Sequence, residues 1–203
     1  MTSKQKWILV LAAMAAFMTA LDSLVVTTAL STIKLDLGAS VEGLEWTVNA
    51  YNLSFAVLLM TTAALGDRFG RRRMFAFGLG LFSAASAACA LSPDVGFLIA
   101  ARAVQGAGAA FILPLALALL TAAFPPEKRG TAIGMFSAVT GIAVALGPIV
   151  GGAIVHGIDW SWIFWVNVPI GLLAMPLVLG GSGEKYETFT RPPRASGRCT
   201  RPR

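Results

Sequence analysis

The sequence predicts an all-α integral membrane fold of six transmembrane helices packed as one bundle. Three observations predict it. Of 203 residues, 56% are apolar and only 13% charged, whereas a soluble domain is about 45–50% apolar and about 25% charged. A helix crossing a bilayer needs roughly 20 apolar residues, and six such runs fit the chain. The connectors between them alternate between basic and nearly uncharged or acidic. A globule of this size could not hide so much apolar surface behind so few charges, which excludes a soluble enzyme.

The first span, 7–33, follows Lys4 and Lys6. It is too long for the apolar region of a cleaved secretory signal, and further spans follow it. Its connector carries Lys34 beside Asp36, Glu42 and Glu45. The second span, 46–65, holds Asn49 and Asn52 three residues apart, a polar stripe that a lipid-facing helix would avoid. A water-filled cavity and interhelical hydrogen bonding explain the stripe about equally well. The next connector, GDRFGRRR, holds Arg68, Arg71, Arg72 and Arg73. Gly66 and Gly70 permit tight turns there. Asp67 can pair with Arg68, Arg71 or Arg72, or face a helix N-terminus. The third span, 74–91, contains Cys89, and its connector offers only Asp94.

In the fourth span, 95–120, Gln105 and Gly106 share the helical face of Arg102. Gly106, Ala109 and Ala110 allow close helix approach. Glu127, Lys128 and Arg129 follow. The fifth span, 131–155, sets Ala143, Gly147 and Gly151 at every fourth position, giving one small face for tight packing. Pro148 removes a backbone bond in the middle of that face and should bend the helix, marking an element that bends or seals. His156 and Asp159 lead into the sixth span, 162–180.

The net charge of +6 would suggest a nucleic-acid partner in a soluble protein. Here the basic residues sit in connectors and report topology instead. Of the 16 Lys and Arg, only Lys34 lies on the other side and only Arg102 lies within a span. By the positive-inside rule both termini are cytoplasmic, in a multi-pass protein of the cytoplasmic membrane. Residues 1–180 form the bundle, and 181–203 form a basic, cytoplasmic segment expected to be disordered. That segment reads as a polybasic tail near an anionic membrane face or as a departure from the natural reading frame, and the composition leaves both open. Cys89 and Cys199 lie in different environments, so neither a disulfide nor a metal site is expected. His156 is the sole histidine, and no nucleophile–base constellation can be assembled around it, so no enzyme is expected.

Asp22 and Arg102 are the two ionisable residues well inside spans, which makes each a functional candidate. At 1.5 Å per residue they lie about 16 Å and about 10 Å below the same membrane surface. They are close enough in depth to meet directly or through water. A buried acid there could take up and release a proton, with the guanidinium controlling release; a static polar pair joining two helices is the alternative.

Taken together, these residues resemble the major facilitator superfamily, and more closely the N-terminal half of its 14-helix drug–proton antiporter-2 exporters. LGDRFGRRR (65–73) is similar to the loop 2–3 motif, carried by Gly66, Asp67, Arg68, Gly70, Arg71 and Arg72. ARAVQGAGAA (101–110) resembles the fourth-helix motif, whose arginine is implicated in proton coupling and falls on Arg102. ALGPIVGG (145–152) resembles the fifth-helix antiporter motif, with Gly147, Pro148, Gly151 and Gly152. LDSLVVTTAL (21–30) is similar to the first-helix motif, whose acid falls on Asp22. It departs at Leu24 and Thr27, and at Ser31 just beyond it, where the family has Thr, Asn and Pro. WSWIFWVNVPIG (160–171) resembles the entry to helix six, with Ser161 replacing an arginine.

The resemblance implies proton-coupled multidrug export with Asp22 and Arg102 as the coupling pair. It implies small lipophilic or cationic drugs as substrates, Asn49, Asn52 and Gln105 as cavity candidates, and no cofactor beyond the proton. It also implies a rocker-switch between two bundles, with Asp67 in a latch to a C-terminal half that these residues do not contain. The expectation is therefore a truncated N-terminal half. The alternative is a non-transporting bundle that needs a separate C-terminal half.

Overall fold

The structure is a computed structural model that describes residues 1–180; the expectations for 181–203 lie outside the described residues. Among the described residues all regular structure is helical: α1 (Ser3–Asp36), α2 (Val41–Phe69), α3 (Arg71–Ala90), α4 (Val95–Ala123), α5 (Pro126–Gly157), α6 (Trp162–Trp165) and α7 (Asn167–Gly180). Helices α6 and α7 together make the sixth of the six segments, among the described residues, that are long and apolar enough to cross a membrane. A bilayer core offers no water to backbone groups, so each span must satisfy its own N–H and C=O groups as a helix.

Most helices outrun their apolar runs, because polar residues at the interface continue the backbone ladder into water. α1, with 34 residues, is about 50 Å long and overreaches a hydrocarbon core of about 30 Å. Several starts are fixed by side-chain caps. Thr2 and Gln5 bond reciprocally to each other's backbone. Ser40 accepts from the Gly43 N–H at 3.1 Å and Asp94 from the Phe97 N–H at 2.9 Å. Between α5 and α6, Asp159 accepts from the Ser161 hydroxyl and N–H, which holds its carboxyl below the usual range.

The sixth span is not one unbroken helix. Pro169 has no N–H to give the carbonyl of Trp165, four residues back. The helix is interrupted at Val166 and resumes at Asn167. Pro114 and Pro148, by contrast, sit inside continuous helices.

α4 lies between α2 and α3, α1 pairs with α5, and α7 packs on α3. Lipid is as apolar as leucine, so close backbone approach and hydrogen bonds, more than water exclusion, hold the helices together. A Cβ on Gly106 would overlap the Tyr51 carbonyl oxygen, and the Thr62 hydroxyl donates to the Ala110 carbonyl at 2.7 Å. The interior has two apolar clusters. One, toward the arginine-bearing end, includes Met18, Phe75, Phe82, Ile112 and Leu120. The other, toward the opposite end, includes Leu21, Ile33, Leu98, Trp160 and Phe164. The buried charges lie where the two clusters meet.

Candidate functional site

Asp22 on α1 and Arg102 on α4 meet directly, with Arg102 Nη1 2.6 Å from Asp22 Oδ2 and both side chains 1% exposed. The same carboxylate accepts from Gln105 Nε2 at 2.9 Å and from Asn167 Nδ2 at 2.8 Å, both on Oδ1. Arg102 donates further to Gln105 Oε1 at 2.7 Å and to the Thr47 carbonyl at 3.4 Å. Its guanidinium stands 4.2 Å from the Tyr51 ring centroid and 5.9 Å from that of Phe164. Ser86 closes the network. Its hydroxyl accepts from Gln105 and Asn167 at 3.2 and 3.1 Å and donates to the Phe164 carbonyl at 2.9 Å. The Cys89 thiol reaches Gln105 Oε1 at 3.5 Å.

Removing two charges from water costs several kcal/mol per ion, which is recovered only when the remaining polar atoms are also bonded. The carboxylate meets that condition, with both oxygens accepting. Every donor facing Asp22 is an N–H, so the array suits an ionised, acceptor-only carboxylate. Oδ1 already accepts two N–H bonds, so a proton arriving on that oxygen would displace one of them.

Spacing placed Gln105 beside Arg102, and it is there, fully buried inside the network. Asn49 and Asn52 lie on the exposed side of α2. Ser86 and Asn167 were not singled out from the sequence. Their only signal was one of two hydroxyls and a lone amide within apolar runs.

The arginine motif is almost wholly helical. Gly66 belongs to α2, not to a turn, and is buried where a Cβ would overlap the Leu115 side chain of α4. Gly70 alone separates α2 from α3, at φ +99°, a conformation that side-chain-bearing residues rarely adopt. Asp67 pairs with Arg71 at 2.8 Å on an exposed surface. Arg68 lies 5.4 Å over the Phe69 ring. Arg72 donates to the carbonyls of Val178 and Leu179, capping the end of α7.

In α5 the small face packs on α1 as its spacing predicts. A Cβ on Gly147 would come 2.9 Å from Leu24 Cβ, and one on Gly151 would overlap the Thr28 hydroxyl. Pro148 is exposed, and a Cβ on Gly152 would meet open space.

The profile of the Major Facilitator Superfamily matches residues 12–198. The chain is 44% identical over 163 residues to the tetracenomycin C resistance and export protein of Streptomyces glaucescens, covering 80% of this chain and 30% of that one. It is 40% identical over 180 residues to the multidrug resistance protein Stp of Mycobacterium tuberculosis, covering 88% and 34%. To the puromycin resistance protein pur8 of Streptomyces alboniger it is 42% identical over 170 residues, covering 83% and 34%. The chain thus spans about a third of the length of the curated relatives it matches. Among solved structures, the proton:xylose symporter XylE superposes with a TM-score of 0.77 at 16% identity, over 87% of this chain and 44% of that one. A bacterial homolog of the lysosomal transporter Spinster, inward-facing and occupied, gives 0.73 at 20% identity, over 88% and 44%. These two likenesses are of fold.

Proposed function

The chain belongs to the major facilitator superfamily, a family of transporters and not of enzymes, and from that premise we propose that it is the N-terminal bundle of a proton-coupled multidrug exporter. In this reading it sits in the cytoplasmic membrane with both termini on the cytoplasmic side. The observation that carries the reading is the direct Asp22–Arg102 pair at 1% exposure. A charge pair this deep is expensive, and an acid held by three N–H donors has two distinct states, ionised and protonated. Relatives named for drug resistance and export support small lipophilic or cationic drugs as the substrate class.

The exposed face of α2, with Asn49 and Asn52, would line the central cavity against a second bundle. Asp67, on the same helix near the arginine-bearing end, would latch to that bundle. Gly147, Pro148, Gly151 and Gly152 would form the antiport seal on α5. The exposed face of α2 is the observation behind a second reading: this bundle transports only together with a C-terminal half.

The test is reconstitution in proteoliposomes with an imposed pH gradient and a lipophilic cation dye, with and without a co-expressed C-terminal half. Gradient-driven dye flux is expected with the second half present. Asp22→Asn is expected to reduce it to the level of protein-free vesicles. Flux unchanged by Asp22→Asn would overturn the coupling role.

A further inference from the structure

The amide of Asn167 bonds Asp22 at 2.8 Å and Ser86 at 3.1 Å through the same nitrogen. It is 1% exposed and stands at the first residue of α7, where Pro169 interrupts the sixth span. We propose that Asn167 is a positioning residue that transmits the protonation state of Asp22 to this interruption. The inference rests on the proton-coupling reading above.

The argument is one of donors and acceptors. Ionised Asp22 accepts three N–H bonds, from Arg102, Gln105 and Asn167. Oδ2 faces the guanidinium at 2.6 Å, so the proton binds on Oδ1, whose two acceptor positions are already taken by Gln105 and Asn167, and one of those two loses its acceptor. Gln105 is held in place at its other end, where its Oε1 accepts from Arg102 at 2.7 Å. Asn167 has one alternative acceptor, the Ser86 hydroxyl, already within reach. Proton uptake therefore shifts Asn167 from α1 onto α3 and releases the tie between α1 and the sixth span. That span yields there because Pro169 has already removed one backbone bond. Among the described residues, the other titratable or charged groups acting on Asp22 are Arg102 on α4, Tyr51 on α2 and Cys89 on α3.

Two readouts on the full chain in lipid nanodiscs test this. Infrared difference spectra follow the protonated carboxyl band of Asp22 with pH, assigned by its loss in Asp22→Asn. Amide exchange over residues 162–168, corrected for intrinsic pH dependence, follows the interruption. In the wild type, exchange should rise about fivefold, the scale of one lost hydrogen bond, with the same midpoint as the band. Asn167→Leu, which keeps most of the volume and removes the donor, should retain the band with a shifted midpoint and abolish the pH dependence of exchange. Unchanged midpoint and exchange in Asn167→Leu would overturn the proposal while leaving Asp22 as the proton site. No titrating Asp22 band in the wild type would instead overturn the proton-coupling reading itself. If Asn167→Leu does not fold, Ser86→Ala removes the alternative acceptor and should reduce the exchange step; a step of full size overturns the inference.

Discussion

At the residue scale, the Asp22–Arg102 pair sets the cost of substitutions around it, because both partners are buried and each is the other's countercharge. Arg102→Met would leave a carboxylate with two amide donors and no countercharge, a loss of about 3–5 kcal/mol. The double variant Asp22→Leu with Arg102→Met should recover most of that loss, since an apolar pair is often as stable as a buried ionic one. Unfolding in mixed micelles measures both; a double variant no more stable than Arg102→Met contradicts the account. The two charges were legible in the sequence because nothing else in an apolar run resembles them, and helical spacing added Gln105. Ser86 and Asn167 were not. Serine and asparagine recur in membrane helices, and here Asn167 lies 81 residues from Ser86 and 145 from Asp22, a relation set by helix rotation and not by local pattern.

At the scale of elements, the small face of α5 was legible because a repeat of four is a helical repeat, and α1 packs on it. Gly147→Ala should cost about 1–3 kcal/mol by overpacking against Leu24, whereas Gly152→Ala, with open space beside it, should stay within about 0.5 kcal/mol. Thermal unfolding of the two variants in detergent makes the comparison, and equal losses would refute the packing. The arginine connector was the misread element. Glycine beside charge reads as a loop, yet α2 runs on to Phe69 and only Gly70 leaves the helix. Gly70→Ala should therefore strain the α2–α3 joint by about 1–3 kcal/mol, seen as a lowered midpoint of unfolding. Among the prolines, Pro148 drew notice from its motif, while the interruption in the sixth span belongs to Pro169.

For the whole molecule, the six spans were legible from hydropathy alone, since the bilayer dictates both helix and length. Which faces meet was not, because every face of a membrane helix can be apolar. The side of the membrane rests on the arginines, and it yields a direct prediction. With Cys199 replaced, Gly38→Cys should react with an impermeant maleimide on intact cells, and Glu127→Cys only after permeabilisation. The reverse pattern would invert the orientation. The buried network also constrains how the bundle is made. Arg102 lies 80 residues beyond Asp22 and Asn167 lies 145 beyond it, so at ~5–20 residues per second of synthesis the acid waits roughly 4–16 s for the first and roughly 7–29 s for the second. The first span thus enters the membrane carrying a lone carboxyl, and assembly must proceed in sequence, with the fourth and sixth spans arriving to close around it.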